Sequence, residues 1–92
     1  MSESITIGLK RAAITLAEEL DYPRAAEKLN TTSRKLRKQV SELETQLCLH
    51  IFKPGQRKVE LTADGQFLIK AFREAVAIHS RNASKETDET HS

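Results

Sequence analysis

Apolar residues recur at helical intervals through the first half of the chain. Ile5, Leu9, Ala12 or Ala13, Leu16 and Leu20 follow at spacings of three and four, which places them on one face of a helix over residues 5–20. Asp21 and Pro23 stop this helix and open the next, because a proline near a helix start forfeits no intrahelical hydrogen bond. The second helix is short, about Pro23 to Leu29. It turns Ala25, Ala26 and Leu29 inward, and the alanine pair lets another helix approach closely. Asn30-Thr31-Thr32 makes a tight connector, with Thr32 as the N-cap of a third helix. Leu36, Val40, Leu43 and Leu47 follow at spacings of four, three and four. This is the cleanest amphipathic pattern in the chain, and it predicts a helix from Ser33 to about Leu47.

The pattern then changes. Leu49-His50-Ile51-Phe52 is a short β-like run, Pro54-Gly55 is a turn signal, and Val59-Glu60-Leu61 is a second alternating run. Two short strands around a basic turn predict a hairpin. Thr62 caps a fourth helix from Ala63 to about Ser80, carrying Phe67, Leu68, Ala71, Phe72, Ala75, Val76 and Ile78. From Arg81 the chain turns polar, and residues 82–92 read as a disordered tail. The class is mainly α: a three-helix core, a two-stranded β wing and a C-terminal helix.

Ninety-two residues hold one small domain, and 38% apolar residues are too many for a wholly disordered chain. No apolar run approaches the roughly eighteen residues of a membrane span. Met1–Lys10 lacks the basic stretch and long apolar core of a secretory signal. The lone Cys48 has no disulfide partner, so a cytoplasmic setting is the default. It reads as a small buried apolar residue. His50, His79 and His91 are too scattered for a zinc site, and no phosphate-binding glycine motif occurs. With no paired catalytic groups, neither an enzyme nor a cofactor is expected.

The net charge of +2 conceals an uneven distribution. Residues 22–60 carry nine Lys/Arg against four Glu, a local charge of +5, while residues 1–21 carry −2. Such a basic stretch suits a polyanionic partner, although a solvated helical face gives the same count. Position is more telling than number. On the third helix Arg34, Lys38 and Ser41 point away from the buried stripe, with Lys35 and Arg37 flanking them and Ser33 near the start. Four of the five residues 34–38 are cationic and lie in the first turns, where the helix dipole disfavours positive charge unless an anion compensates. Local conflicts of this kind tend to mark sites. A short helix, a tight turn and a second helix with an exposed basic start follow the helix-turn-helix plan. Lys53, Gln56, Arg57 and Lys58 at the hairpin tip make a basic wing beside it.

The residues Arg24-Ala25-Ala26-Glu27-Lys28-Leu29, Leu36-Arg37-Lys38-Gln39-Val40, Glu42-Leu43-Glu44, Ile51-Phe52 and Leu61-Thr62-Ala63-Asp64-Gly65 occur in this order. The set resembles the DNA-binding domain of LysR-type transcriptional regulators, over about residues 5–80. Those domains show an RAAxxL helix, a recognition helix ending in QIxxLE, then LF, a basic wing and LTxAG. The resemblance implies a dimer on a roughly palindromic site in double-stranded DNA. It places Ser33, Arg34, Arg37 and Lys38 toward bases or phosphates, and Arg57 and Lys58 toward the adjacent groove or backbone. It makes the fourth helix a linker helix that pairs in antiparallel fashion with its partner's copy. The chain departs from the pattern in having Ser33-Arg34 where Gln-Pro is common, Arg37 in place of Ser, and Cys48 where Gly often ends the helix. The extra cations strengthen phosphate attraction and alter base preference. The family's effector-binding domain has no counterpart here, so no small-molecule effector site is expected. The N-terminal domain of the molybdate-responsive regulator is a second resemblance that fits Arg24–Gln39 less well.

The expected organisation is a winged helix-turn-helix DNA-binding domain over residues 1–62, a linker and dimerisation helix over 63–80, and a disordered polar tail over 81–92. The candidate DNA-binding residues are Thr32, Ser33, Arg34, Lys35, Arg37, Lys38, Arg57 and Lys58. Leu68, Phe72 and Val76 are the candidate dimerisation residues. The wide apolar stripe of the fourth helix fits a core face alone, or a core face on one side with a dimer seam on the other. A start at Met1 and a polar acidic tail favour a stand-alone regulator over an excised domain. The expected function is DNA-binding transcriptional regulation in the bacterial cytoplasm, on the nucleoid when bound. The alternative is a winged-helix interaction module that modulates another regulator, which need not retain the basic cluster at Arg34–Lys38.

Overall fold

The computed structural model describes residues 6–91, with side chains described as far as residue 78. Four helices follow one another: α1 (Ile7–Glu19), α2 (Tyr22–Lys28), α3 (Ser33–Leu47) and α4 (Ala63–His91). Each of the first three begins at a side-chain cap. The oxygens of Thr6, Asp21 and Thr32 accept from the backbone N–H groups of Leu9, Arg24 and Lys35. These satisfy donors that the first turn of a helix cannot pair internally. Pro23 sits in the first turn of α2, as the spacing predicts.

The helices close around one core. Leu9, Ala13 and Leu16 of α1 meet Ala25 and Ala26 of α2, Leu36, Val40 and Leu43 of α3, and Ile69 and Phe72 of α4. Ala13 and Ala25 are fully buried, so the small residues do let the helices approach. Glu19 joins α1 to α2: its carboxylate lies 2.6 Å from Lys28 Nζ and 3.5 Å from Arg24 Nε. The Lys28 hydrogen bond, helped by Arg24, holds that carboxyl below its ordinary range.

Between α3 and α4 runs the wing. Lys53 donates to Glu60 O at 2.8 Å, and Phe52 faces Leu61 in an antiparallel bridge. Extended strands do not form among the described residues. The N–H groups of Ile51 and Phe52 are donated instead to Glu44 Oε2 at 2.7 and 3.0 Å, and Pro54 has no N–H to give. The returning half docks on the turn between α1 and α2. Tyr22 donates to Arg57 O at 2.8 Å, and Val59 donates to Leu20 O at 3.1 Å. Thr62 then caps α4, accepting from Gly65 N at 2.8 Å while donating to His50 O at 2.7 Å.

Several expectations are corrected. Leu20 is exposed, because it ends α1 in the left-handed region at φ 56° and so turns away from the helix face. Cys48 is exposed too, ending α3 at φ 57°. The fourth helix continues to His91 where the sequence reading ended it near Ser80, and no Pro or Gly follows Gly65 to stop it. Ile5 and the side chains of His79, His91 and the rest of 81–92 lie outside the described residues.

Two substitutions test this frame in opposite directions. A Cβ on Gly65 would stand 2.0 Å from Ile51 O and 2.9 Å from Ile51 C, both backbone atoms. Gly65→Ala is therefore expected to destabilise the domain by at least about 1–3 kcal/mol, lowering Tm by several degrees in a thermal melt. Cys48→Gly removes the left-handed penalty of a side-chain-bearing residue. It is expected to add about 1 kcal/mol and raise Tm, and a lower Tm would show that the Cys48 side chain holds the helix end.

Candidate nucleic-acid interface

Helix α3 is charged against its own dipole. Arg34, Lys35, Arg37 and Lys38 crowd its N-terminal turns, and Glu42 and Glu44 lie toward its C-terminal end. Cations at the positive end and anions at the negative end are each unfavourable. Each conflict has a structural answer or an open one.

Glu44 is answered within the chain. Its half-buried carboxylate takes the N–H groups of Ile51 and Phe52, and its other oxygen lies 3.5 Å from His50 Nδ1. Arg37 is answered as well. Its guanidinium lies over the ring of buried Tyr22, 4.2 Å from the centroid. Nη1 donates to Gly55 O at 3.1 Å, and Nη2 donates to Gln56 O. Burial pushes the Tyr22 phenol above its ordinary pKa, and the adjacent Arg37 charge pulls it partly back.

Arg34, Lys35 and Lys38 have no such answer. All three are exposed, and among the described residues none has a carboxylate within ion-pair distance. A shallow depression along the helix is lined by Arg34, Arg37, Lys38, Ser41 and Glu42. Thr32 Oγ1 is committed as an acceptor to Lys35 N, and Ser33 is half-buried beside it. On the wing, Lys58 is exposed and has no carboxylate partner among the described residues. Arg57 is exposed but lies 3.7 Å from buried Asp21, and Lys53 lies 3.5 Å from Glu60. The bonds from Arg37 to Gly55 and Gln56 bring the wing tip directly against the first turns of α3. The two basic segments therefore form one surface.

The fourth helix is sorted differently from the sequence reading. Phe72 is buried and belongs to the monomer core, and Leu68 packs partly against it. Val76 is half-buried and shares the core-facing side with Phe72, four residues before it. The face left open carries Phe67, Ala71 and Ile78, with Phe67 77% and Ile78 52% exposed. Sequence reasoning also missed the roles of Tyr22 and Glu44. An acidic residue near a helix C-terminus was a readable conflict of the same kind as the cations at the N-terminus.

The family model of bacterial regulatory helix-turn-helix proteins of the lysR family matches residues 9–66. The HTH-type transcriptional regulator AlsR of Bacillus subtilis (strain 168) is 38% identical over 63 residues, covering 68% of this chain and 21% of its own length. The HTH-type transcriptional activator AmpR of Citrobacter freundii is 33% identical over 89 residues, covering 92% of this chain and 31% of its own length. The chain thus spans between a fifth and a third of the length of these curated relatives. The DNA-binding domain of CbnR, solved in complex with DNA, superposes with a TM-score of 0.87 at 21% identity, covering 92% of this chain and 98% of that one. That likeness establishes the winged-helix fold.

Proposed function

This chain belongs to the lysR family of bacterial regulatory helix-turn-helix proteins, and we propose that it regulates transcription by binding double-stranded DNA. The observation that carries the proposal is the set of exposed cations Arg34, Lys35 and Lys38 at the start of α3, beside Lys58 on the wing, none with a carboxylate partner among the described residues. Helix α3 enters the major groove with these N-terminal turns leading. Its free N–H groups and cations meet phosphates, and Arg34 reaches base edges. Lys58 and Arg57 meet the backbone of the adjacent groove. The relatives AlsR and AmpR, named as transcriptional regulators, and the CbnR domain bound to DNA support the reading. Regulation, not catalysis, is the proposed activity, in the bacterial cytoplasm. Residues 1–62 supply the DNA-binding unit and α4 the link between copies.

Two copies pair through the exposed face of α4, at Phe67, Ala71 and Ile78, and present two α3 helices to a roughly palindromic site. Large apolar side chains left open on one helix face support such a seam. The seam is shifted from Leu68, Phe72 and Val76, since Phe72 is used up by the core.

Arg34→Ala is expected to relax sequence preference at one position in each half-site, by about 1–3 kcal/mol of discrimination. Lys58→Ala is expected to weaken binding to all sequences alike and to reduce the salt slope by about one unit. Binding to a panel of duplexes at several salt concentrations separates the two. Equal losses on every sequence from both variants would mean a nonspecific binder, and no loss from either would mean a merely solvated face. Separately, Ile78→Asp is expected to give folded monomers in sedimentation. A wild-type chain that stays monomeric at high micromolar concentration would remove the seam.

A further inference from the structure

The wing tip is held from two sides. From one side the turn between α1 and α2 binds it through backbone alone, Tyr22 N to Arg57 O and Val59 N to Leu20 O. From the other side α3 reaches the tip through a single side chain. Among the described residues only Arg37 joins α3 to the carbonyls of Gly55 and Gln56. The same guanidinium lies on the ring of Tyr22, whose own N–H is bonded to Arg57. Tyr22, Arg57, Gln56 and Arg37 thus close a ring of contacts that ties α2, α3 and the wing together.

We propose that Arg37 is a positioning residue, whose guanidinium, stacked on Tyr22 and bonded to the wing-tip carbonyls, fixes the wing against the recognition helix and so sets where Arg57 and Lys58 meet DNA. The proposal rests on the DNA-binding reading for its consequence, while the strut itself is a property of the free chain. Both terminal nitrogens of Arg37 are engaged and one face of the fork is covered. Reading a guanine bidentately would mean giving up the wing contacts. A planar fork that donates from two nitrogens while stacking on a ring is a task for arginine and not for lysine. The turn it holds is tight, since a Cβ on Gly55 would stand 2.3 Å from Lys58 O.

The test uses Arg37→Ala and Arg37→Lys, with Arg37 itself exposed and outside the buried core. In the DNA-free protein, amide hydrogen exchange at Tyr22, Lys53 and Val59 is expected to quicken by about tenfold in both variants, with Leu43 unchanged. Tyr22 is the sole tyrosine and there is no tryptophan, so its phenol can be titrated directly. In Arg37→Ala its ionisation is expected to shift from the wild type, because the neighbouring charge and the cover over its ring are both gone. On a duplex enriched from a random pool, Arg37→Ala and Arg37→Lys are expected to lose about tenfold in affinity alike, and Lys58→Ala is expected to cost little more in the Arg37→Ala background. Lysine restoring affinity would assign Arg37 to a phosphate. Additive losses with unchanged exchange would assign it to a base. Either result overturns the proposal. If the wild type binds no DNA, the DNA reading falls on its own. Exchange then decides the strut, with equal protection in wild type and variants refuting it.

Discussion

The carboxylate of Glu44 and the backbone of Ile51 form the corner on which the other elements depend. Ile51 N–H is donated to that carboxylate, Ile51 O accepts from Thr62 N at 2.9 Å, and the Ile51 side chain is fully buried. Gly65 lies so close to the same carbonyl that no side chain fits between them. The last turns of α3, the base of the wing and the first turn of α4 are therefore fixed to one residue. A hydrogen bond to a charged acceptor is stronger than a neutral one, and here two N–H groups share it. Helix α3 and the base of the wing are thereby tied at one corner, which a surface made from both of them requires.

The charge on α3 follows from the same economy of contacts. Every ionic group placed against the dipole has to find a partner or remain unfavourable. Glu44 finds the wing's N–H groups, and Arg37 finds its carbonyls and the Tyr22 ring. Arg34, Lys35 and Lys38 find none among the described residues. Left without a partner among the described residues are exposed Glu42 and, at the helix start, a cationic strip, the arrangement that favours phosphate.

Much of this was legible in the amino-acid pattern. The spacing of Leu36, Val40 and Leu43 gave α3 its buried stripe, and Thr32 its start, because a regular amphipathic helix with a capping residue is a local matter. The exposed cations of α3 followed from the same geometry. The contacts of Arg37 did not, because its partners are Tyr22 and the wing tip, distant in sequence. Which apolar residues of α4 stay exposed was not legible because its stripe is wide: Phe67, Phe72 and Ile78 are alike in composition, and only packing against the core decides that Phe72 goes inward. The wing predicted as a hairpin is held by the antiparallel bridge from Phe52 to Leu61, and alternation says nothing of the glutamate that takes the N–H groups of Ile51 and Phe52 at its base.

The central claim is that the cations left unpaired by the fold face a polyanion. It is tested most directly by titrating isotope-labelled chain with a duplex enriched from a random pool and following every backbone amide by NMR at physiological salt. The predicted result is a continuous perturbed surface over residues 32–38 and 55–58, with the exposed face of α4 at Phe67 and Ile78 unchanged by DNA. Perturbations centred on α1 or α4, with residues 32–38 silent at saturation, would contradict it.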